Sequence, residues 1–159
     1  MNLEDWEQVQ MIYAKGIATG IATFETTVPS WAKWDTAHLK FGRLVAVSGT
    51  AVLGWIALSP VSTRKVYRGV AEVSIYIDSD HKNKGLGKKL MQNVILISEQ
   101  MGVWTLQSST FRENKASYIL HERMGFRQIG YRERVAQIHG KWKDNLLWER
   151  RSTIIGADN

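Results

Sequence analysis

The chain has 159 residues, of which 44% are hydrophobic and 23% charged, and these values are typical of one globular domain rather than a disordered segment. It contains no cysteine, which excludes disulfides, a thiolate nucleophile and zinc–cysteine sites. The net charge of +6 favours an anionic partner, either a phosphate-bearing small molecule or a nucleic acid, although a merely basic surface has the same charge. No apolar run reaches the roughly 18 residues of a membrane helix and the N-terminus lacks a signal-peptide pattern, so we expect a cytoplasmic protein without membrane contact.

The N-terminal part of the chain is predicted to be helical. Apolar residues recur at helical spacing from Leu3 to Tyr13, which predicts an amphipathic helix that ends near Gly16 or Gly20. The segment FETTVPSWAKWDTAHLKF is typical of a loop followed by a shorter helix.

Strands and helices alternate in the rest of the chain. Strands are predicted at Leu44–Val47, Ala51–Leu58, AEVSIYID, VWTLQSST, Arg132–Ile138 and Leu146–Arg150, with HGKWKD as the turn between the last two. Helices are predicted from Leu86 to Met101, ending at Gly102, and from Lys115 to Met124, with Asn114 as N-cap and Gly125 as the end. This order predicts a mixed α/β sheet with few parallel strands.

The segment SDHKNKGLGKKL lies between a predicted strand and a predicted helix. Gly85 and Gly87 allow the backbone to approach a pyrophosphate closely, and the free amides at a helix N-terminus bind phosphate. Positive charge is supplied on both sides by Lys82, Lys84, Lys88 and Lys89. The spacing matches neither the Walker A loop nor the G-x-G-x-x-G dinucleotide fingerprint. Taken alone, the segment is also compatible with a solvated helix start.

KNKGLG resembles the acetyl-CoA signature of the GNAT acetyltransferase superfamily, Arg/Gln-x-x-Gly-x-Gly/Ala, with lysine at the first position. Five segments match the phosphinothricin (methionine sulfoximine) N-acetyltransferase-like subgroup in order and spacing: FETTVPSWAKW, GWIALSPVSTRKVYRGVAEVSIYI, DHKNKGLGKKL, ENKASYILHERMGF and HGKWKDNLLW. The resemblance implies acetyl-CoA as cosubstrate, no metal, and transfer of the acetyl group to the primary amine of a small amino-acid-like acceptor. It also implies a homodimer.

The resemblance further implies the GNAT acyl-CoA N-acyltransferase fold, a mixed and mostly antiparallel sheet flanked by helices. A single domain is expected at residues 1–151, followed by a short tail at 152–159. Family members usually begin with a strand, which is expected to be missing or truncated here. Two departures concern the acceptor pocket: Ile138 replaces a subgroup lysine, and Gly69 and Val70 replace His-Thr.

Acetyl transfer needs a base for the amine proton, donors for the oxyanion, and a proton or shielding for the leaving thiolate. Glu72 shares a predicted strand face with Ser74 and Tyr76, and the resemblance makes it the base, directly or through water. The alternative is an ordinary solvent-facing glutamate. His121 lies where many of these enzymes have a tyrosine that protonates the thiolate, and it is predicted to be the acid or to orient the substrate. A surface histidine is the alternative.

The resemblance also assigns binding residues. Because the family splays the strand AEVSIYI from the next strand, its backbone is expected to bind acetyl-CoA. The expected acetyl-CoA contacts are Ser74, Ile75, Tyr76, Lys82, Asn83, Lys84, Gly85, Leu86, Gly87, Lys88, Asn114 and Ser117. The expected acceptor contacts are Phe24, Glu25, Arg64, Arg68, Glu72 and Val73, with the arginines as partners for a carboxylate.

Other functions remain open on the sequence alone. One is acetylation of a peptide or protein amine, and another is a catalytically silent acetyl-CoA sensor. The presence of both Glu72 and His121 argues against the silent sensor. A nucleic-acid binder is disfavoured, because the sequence lacks an aromatic and basic stacking platform.

Overall fold

The computed structural model describes residues 1–157. Its helices are α1 Trp6–Ala18, α2 Trp31–Ala37, α3 Leu86–Gln100 and α4 Lys115–Arg123. Its strands are β1 Leu44–Ser48, β2 Ala51–Pro60, β3 Val70–Ile77, β4 Thr105–Phe111, β5 Arg127–Ile138 and β6 Lys141–Arg151. Single 3₁₀ turns lie at Leu3–Asp5, Lys65–Tyr67 and Ser79–His81. The predicted tail at 152–159 lies partly outside the described residues and stays a prediction, as does the single domain at 1–151.

The six strands form one sheet in the order β1-β2-β3-β4-β6-β5. Among the described strands, β3 and β4 are the one parallel pair, which confirms the predicted mixed and mostly antiparallel sheet. Within this part of the chain, β3 and β4 pair only where Val70–Glu72 meets Thr105–Gln107. Beyond that point β3 stays paired with β2 up to Ile77, and β4 stays paired with β6 up to Phe111. The sheet therefore splits along a gap, and the splay implied by the resemblance is confirmed.

Helices cover both faces of the sheet. On one face, which we call the α1 face, Val9 and Ile12 of α1 pack with Trp34 of α2 against Trp55 and Ala57 of β2. The other face, the α3–α4 face, is covered by a second core cluster: Ile56, Leu58, Ala71, Val73, Leu90, Met91, Val94, Val103, Leu106, Phe126 and Trp148. Since side chains alternate along a strand, neighbouring residues of β3 face opposite cores. Burial of these two apolar sets holds the split sheet together.

The first helix differs slightly from its prediction. Leu3 belongs to the preceding 3₁₀ turn and is 62% exposed, so it lies outside the buried stripe. Gly16 lies inside α1, where a Cβ would come within 2.6 Å of the Tyr76 ring. Glycine at this position therefore permits close packing rather than helix termination. Within residues 1–157, no helix is both long enough and apolar enough to cross a membrane.

The last hairpin corrects the sequence analysis. β5 begins at Arg127 rather than Arg132, and β6 begins at Lys141 rather than Leu146. The predicted turn HGKWKD is wrong beyond Gly140, because only His139 and Gly140 form the turn, with φ of 48° and 74°. Two adjacent residues with positive φ are typical of the tight hairpin turn that matches strand twist. Much of this hairpin is exposed, so its hydrophobic alternation is too weak to mark the strand ends.

Candidate active site

The gap between β3 and β4 opens into a cleft of about 910 Å³. Its walls come from the α1–α2 loop, β3, the glycine turn with the start of α3, β4, and α4. The residues predicted from the sequence that line it are Phe24, Glu25, Glu72, Val73, Ser74, Ile75, Tyr76, Lys82, Asn83, Gly85, Leu86, Gly87, Lys88, Asn114, Ser117 and His121. The gap therefore brings together predicted residues from four separate parts of the chain.

The glycine turn presents backbone amides to this cleft. Gly85 is the N-cap of α3 and has a φ of 76°, a conformation that favours glycine. The first helical hydrogen bond after it runs from the Lys89 amide to the Gly85 carbonyl, at 3.1 Å, so the amides of residues 86–88 point out of the helix end. At Gly87 a Cβ would lie 3.3 Å from Leu120, so glycine there lets α3 approach α4. This arrangement can bind phosphate groups.

Lysine side chains surround the turn. Lys82 and Lys88 line the cleft, whereas Lys84 and Lys89 are exposed beside it. In the described part of the chain none of these four lysines forms an ion pair. Their charge is therefore available to an anionic ligand.

A buried carboxylate anchors the glycine turn to α1. Asp78 follows β3 directly, and its Oδ2 accepts a hydrogen bond of 2.6 Å from Lys15 Nζ. Its Oδ1 accepts from the Asp80 amide at 2.9 Å, and His81 Nδ1 lies 3.4 Å away. The Lys15 hydrogen bond lowers the pKa of Asp78 to about 2. Sequence analysis missed this anchor, because the two partners are 63 residues apart.

Glu72 stands where the two strands separate. It is the last residue of β3 that pairs with β4, opposite Gln107, and its side chain is open to the cleft. The cleft walls still remove it partly from water, and this burial raises the pKa of Glu72, although the charge of Arg132 opposes the shift. A carboxylate with a raised pKa holds a proton more readily than an ordinary glutamate and is therefore a better base.

The next residues of β3 can contact a ligand through their backbone rather than through their side chains. The Tyr76 ring is fixed between Tyr13 and Trp55, with 4.8 Å between ring centroids on each side. Burial, with the neighbouring Tyr13 as a lesser cause, raises the pKa of Tyr76 and keeps its hydroxyl neutral. From Val73 to Ile77 the β4-facing edge of β3 lies along the gap. Such an edge has peptide groups that an extended ligand can bind.

α4 forms another wall of the cleft, next to the start of α3. Asn114 caps it by accepting a hydrogen bond of 3.2 Å from the Ser117 amide, which confirms the predicted N-cap. His121 is 1% exposed, stacks on Trp148 and meets the edge of Phe126. Its Nδ1–H donates to the Ser117 carbonyl at 2.7 Å.

The charge state of His121 follows from this setting. Burial lowers the pKa of His121, so the ring is neutral near pH 7. Because Nδ1 carries the proton, Nε2 has a free lone pair, and Nε2 is buried without a partner among the described residues. The ring can therefore accept a hydrogen bond or a proton at Nε2 but has none to donate there.

Only some of the predicted acceptor residues lie at the cleft. Phe24 lines the cleft and packs edge-on against Phe111 at the end of β4, with 4.5 Å between ring centroids. Arg64 and Arg68 flank the 3₁₀ turn after β2 and do not line the cleft in the described chain. Their guanidinium groups lie over the rings of Tyr67 and Trp104, at 5.6 and 5.5 Å. At Gly69 a Cβ would lie 2.1 Å from Trp104, which explains why glycine stands at this position.

The β4 side of the cleft was missed by sequence analysis. This wall consists of Ser108, Ser109, Thr110, Phe111 and Asn145. The available signal was the run of hydroxyl residues inside a predicted buried strand, since such positions are usually apolar. Within residues 1–157 no group of three or more His, Cys, Asp or Glu side chains is placed to hold a metal ion.

Comparison with known proteins gives consistent matches over most of the chain. The family described as "Acetyltransferase (GNAT) family" matches residues 4–126. A phosphinothricin N-acetyltransferase of Alcaligenes faecalis is 31% identical over 156 residues, which cover 92% of this chain and 78% of that protein. An L-methionine sulfoximine/L-methionine sulfone acetyltransferase of Pseudomonas aeruginosa is 28% identical over 149 residues, 90% of this chain and 87% of that protein. The crystal structure of a GNAT superfamily phosphinothricin acetyltransferase from Sinorhizobium meliloti in complex with acetyl-CoA superposes with a TM-score of 0.90 and 26% identity, covering 100% of this chain and 89% of that one.

Proposed function

Because this chain belongs to the acetyltransferase (GNAT) family, we propose that it acetylates the primary amine of a small amino-acid-like acceptor of the phosphinothricin, methionine sulfoximine or methionine sulfone type. The chain is an acetyl-CoA-dependent N-acetyltransferase, and the acceptor class is the proposed part. The observation that carries the proposal is the cleft through the split sheet, with Glu72 at the point where β3 and β4 separate.

The donor is bound from the α3–α4 face. Acetyl-CoA supplies the acetyl group as a thioester, and its phosphates are the anions that the amides of residues 86–88 and the lysines around them would bind. The exposed edge of β3 from Val73 to Ile77 would hold the pantetheine chain by backbone hydrogen bonds. Asn114 and Ser117 line the cleft on the α4 side, where they would contact the same chain.

Glu72 acts as the base in this proposal. It takes a proton from the acceptor ammonium, directly or through water, which leaves a lone pair on nitrogen. That nitrogen bonds to the acetyl carbon as the carbon–sulfur bond breaks, and coenzyme A leaves as the thiolate. A backbone amide of β3 would bind the carbonyl oxygen as negative charge develops on it.

His121 is assigned an accepting and orienting role rather than that of an acid. Its Nδ1–H is held by the Ser117 carbonyl and its Nε2 is unprotonated, so the resting ring has no proton to give to the thiolate. After the attack the acetylated nitrogen still carries one surplus proton, and in this proposal the thiolate takes that proton, directly or through one water, as it leaves.

The acceptor lies on the α1 face, beside Glu72. Phe24 and Glu25 of the α1–α2 loop border this part of the cleft and would contact the acceptor side chain. Neither Arg64 nor Arg68 lines the cleft in the described chain, so no contact supports their predicted role in binding a carboxylate. That role stays a prediction. The homodimer stays a prediction as well.

The test is thiol release from acetyl-CoA with a panel of amines, beside a titration of acetyl-CoA binding. The panel contains methionine sulfone, methionine sulfoximine, phosphinothricin, ordinary amino acids and a short basic peptide. We expect turnover with at least one of the three amino-acid analogues and none with the peptide. Turnover with the peptide alone would replace the proposed acceptor class by a protein amine. Tight acetyl-CoA binding without turnover of any amine would contradict the proposal.

A further inference from the structure

We infer that the ion pair between Lys15 and Asp78 positions the glycine turn for the phosphates of acetyl-CoA, so that the affinity for the coenzyme depends on this pair. Asp78 is the first residue after β3, and Lys15 lies in the last turn of α1. Lys15 Nζ lies 2.6 Å from Asp78 Oδ2, and the Asp78 side chain is only 12% exposed. The pair therefore joins α1 to the segment that leads from β3 to the start of α3.

The glycine turn needs support from outside itself. Asn83 and Gly85 both have a positive φ, of 62° and 76°, and a residue other than glycine adopts such a conformation only at an energetic cost. Among the described residues no side chain caps the start of α3, whereas Asn114 caps α4. The direction of the amides of residues 86–88 therefore depends on how the preceding segment is held.

Asp78 holds this segment through its backbone and through both of its carboxylate oxygens. Its amide donates to the Leu53 carbonyl of β2 at 2.9 Å, and its carbonyl accepts from the His81 amide at 3.0 Å. Its Oδ1 accepts from the Asp80 amide at 2.9 Å, which caps the 3₁₀ turn, and its Oδ2 accepts from Lys15. Asp78 thus fixes the first residues of the segment relative to both β2 and α1.

The helix that carries Lys15 is itself fixed on the sheet. Val9 and Ile12 of α1 are buried in the core of the α1 face. Gly16, next to Lys15, packs so closely on β3 that a Cβ would lie 2.6 Å from the Tyr76 ring. The ion pair therefore holds the turn against two elements that are packed together. A site that is held in its binding conformation binds its ligand more tightly, because less freedom is lost on binding.

The charges of the pair favour a positioning role over direct binding of a phosphate by Lys15. A carboxylate near a phosphate site repels the phosphate unless a cation offsets its charge. Lys15 Nζ lies 2.6 Å from Asp78 Oδ2 and 3.7 Å from Asp80 Oδ2, so its charge is already engaged by two carboxylates. Because the hydrogen bond from Lys15 lowers the pKa of Asp78 to about 2, the pair stays charged at every working pH.

The test measures the Kd for acetyl-CoA by calorimetric titration, with thermal unfolding beside it. Asp78→Asn and Lys15→Met each break the pair, the double variant removes both charges, and Lys15→Arg keeps a cation on α1. We expect each of the two pair-breaking single variants to raise the Kd about tenfold, as for loss of a hydrogen bond between charged groups. The double variant should also show a rise of about tenfold rather than the product of about a hundredfold, because the two residues act through one contact. Lys15→Arg should keep the Kd within a few-fold of the wild type.

Glu99→Gln is the matched control. Glu99 of α3 pairs with Arg150 of β6 at 3.1 Å, and its side chain is 13% exposed, but neither residue lines the cleft in the described chain. We expect Glu99→Gln to lower the melting temperature about as much as Asp78→Asn does and to leave the Kd unchanged. An equal rise of the Kd in this control would mean that loss of stability weakens binding, which overturns the inference.

The remaining outcomes separate positioning from other roles. An unchanged Kd in Asp78→Asn or in Lys15→Met overturns the inference. A lower Kd in Asp78→Asn also overturns it, because the freed lysine would then bind a phosphate directly. So does a Kd in the double variant near the product of the two single effects, or a Kd in Lys15→Arg as high as in Lys15→Met. If Asp78→Asn does not fold, Lys15→Met and Lys15→Arg decide, since the Lys15 side chain is half-exposed.

This inference concerns the acetyl donor and goes beyond the proposed acceptor class. Acetyl-CoA binding is measured without an acceptor, so the comparison of Kd values does not depend on which amine is acetylated. If the wild type acetylates none of the amino-acid analogues, the proposed function fails while the comparison still decides the role of the ion pair.

Discussion

The donor and acceptor sides of the cleft are built in different ways. On the donor side, the turn at Gly85 and the cap at Asn114 are local structures, each formed within four residues of the chain. On the acceptor side, the contacts between Phe24 and Phe111 and between Ser109 and Asn145 join distant segments. The donor side presents mainly backbone groups, and the acceptor side presents mainly side chains.

This difference follows from what each side has to bind. In the proposed function the donor is the same in every reaction, and amides at the start of α3 and along the β3 edge would bind its phosphates and pantetheine chain. An acceptor is recognised by its particular shape and charge, which requires side chains in fixed positions. In this proposal the binding of the acetyl donor depends on local motifs of the chain, whereas the choice of acceptor depends on side chains that those motifs do not position.

The largest expected effect is at Glu72, where the two sides meet. Glu72→Gln keeps the size of the side chain but removes the base, so we expect kcat to fall by about 10²- to 10⁴-fold. Because burial raises the pKa of Glu72 above its ordinary 4.5, wild-type kcat should rise with pH through that raised pKa, and this acid limb should vanish in the variant. Steady-state rates from pH 5 to 9 measure both. Glu7→Gln, on the exposed side of α1, is the control, and an unchanged kcat in Glu72→Gln would remove the base from the mechanism.

A smaller effect is expected on acetyl-CoA binding, and two glycine variants should distinguish it from a loss of stability. Gly85 and Gly102 have nearly the same positive φ, 76° and 78°, and an added Cβ meets no atom within 4 Å at either position. Gly85→Ala and Gly102→Ala should therefore destabilise the fold similarly, by about 1–2 kcal/mol. Only Gly85→Ala should weaken acetyl-CoA binding, by about tenfold, because the strained turn shifts the amides of residues 86–88.

Calorimetric titration of acetyl-CoA into both variants measures this difference, with thermal unfolding as the check on stability. Equal Kd values for the two variants would show that the turn at Gly85 does not form the phosphate site. Acceptor KM should be unaffected by either change, since the glycine turn lies on the donor side.

The smallest expected effect is that of His121 on the pH dependence of the free energy of unfolding. Burial lowers the pKa of His121 below its ordinary 6.5, so the unfolded chain binds a proton there at a higher pH than the folded chain does. Stability should therefore fall as the pH drops below about 6.5. His121→Gln cannot titrate and should show a weaker fall between pH 7 and 5 in the free energy of unfolding from urea titrations.

His38 provides the comparison for this prediction. It is half-buried, burial lowers its pKa, and its Nδ1–H donates to the Trp34 carbonyl at 2.7 Å, but it lies outside the cleft. His38→Gln should flatten the same pH dependence without changing acetyl transfer. A pH dependence in His121→Gln as steep as that of the wild type would contradict the lowered pKa, since His121 would then bind its proton at the same pH in the folded and the unfolded chain.

Local signals predicted much of the fold and of the donor side. The cap at Asn114, the end of α4 at Gly125 and the hairpin of β1 and β2 each depend on neighbouring residues, and each was predicted from the sequence. The first strand residues of β5 and β6 were not predicted, since exposed polar strands carry little periodicity.

The parts that were missed depend on contacts between distant residues. Asp78 and Lys15 meet across 63 residues, and no local pattern marks either as a partner of the other. Asn145 is one of several polar residues at the start of β6, and only the sheet register shows that it lies opposite Phe111 of β4. The residues proposed for the donor site therefore form local patterns that are visible in the sequence, whereas the β4 and β6 wall of the cleft is found only from three-dimensional packing.

A crystal structure of the protein with coenzyme A and the acceptor that it acetylates fastest tests the central claim most directly. We predict the thiol in the gap between β3 and β4, the pantetheine chain on the α3–α4 face, and the acceptor amine on the α1 face beside Glu72. A coenzyme bound outside the gap, or an amine that reaches the thiol from the α4 side, would contradict the account.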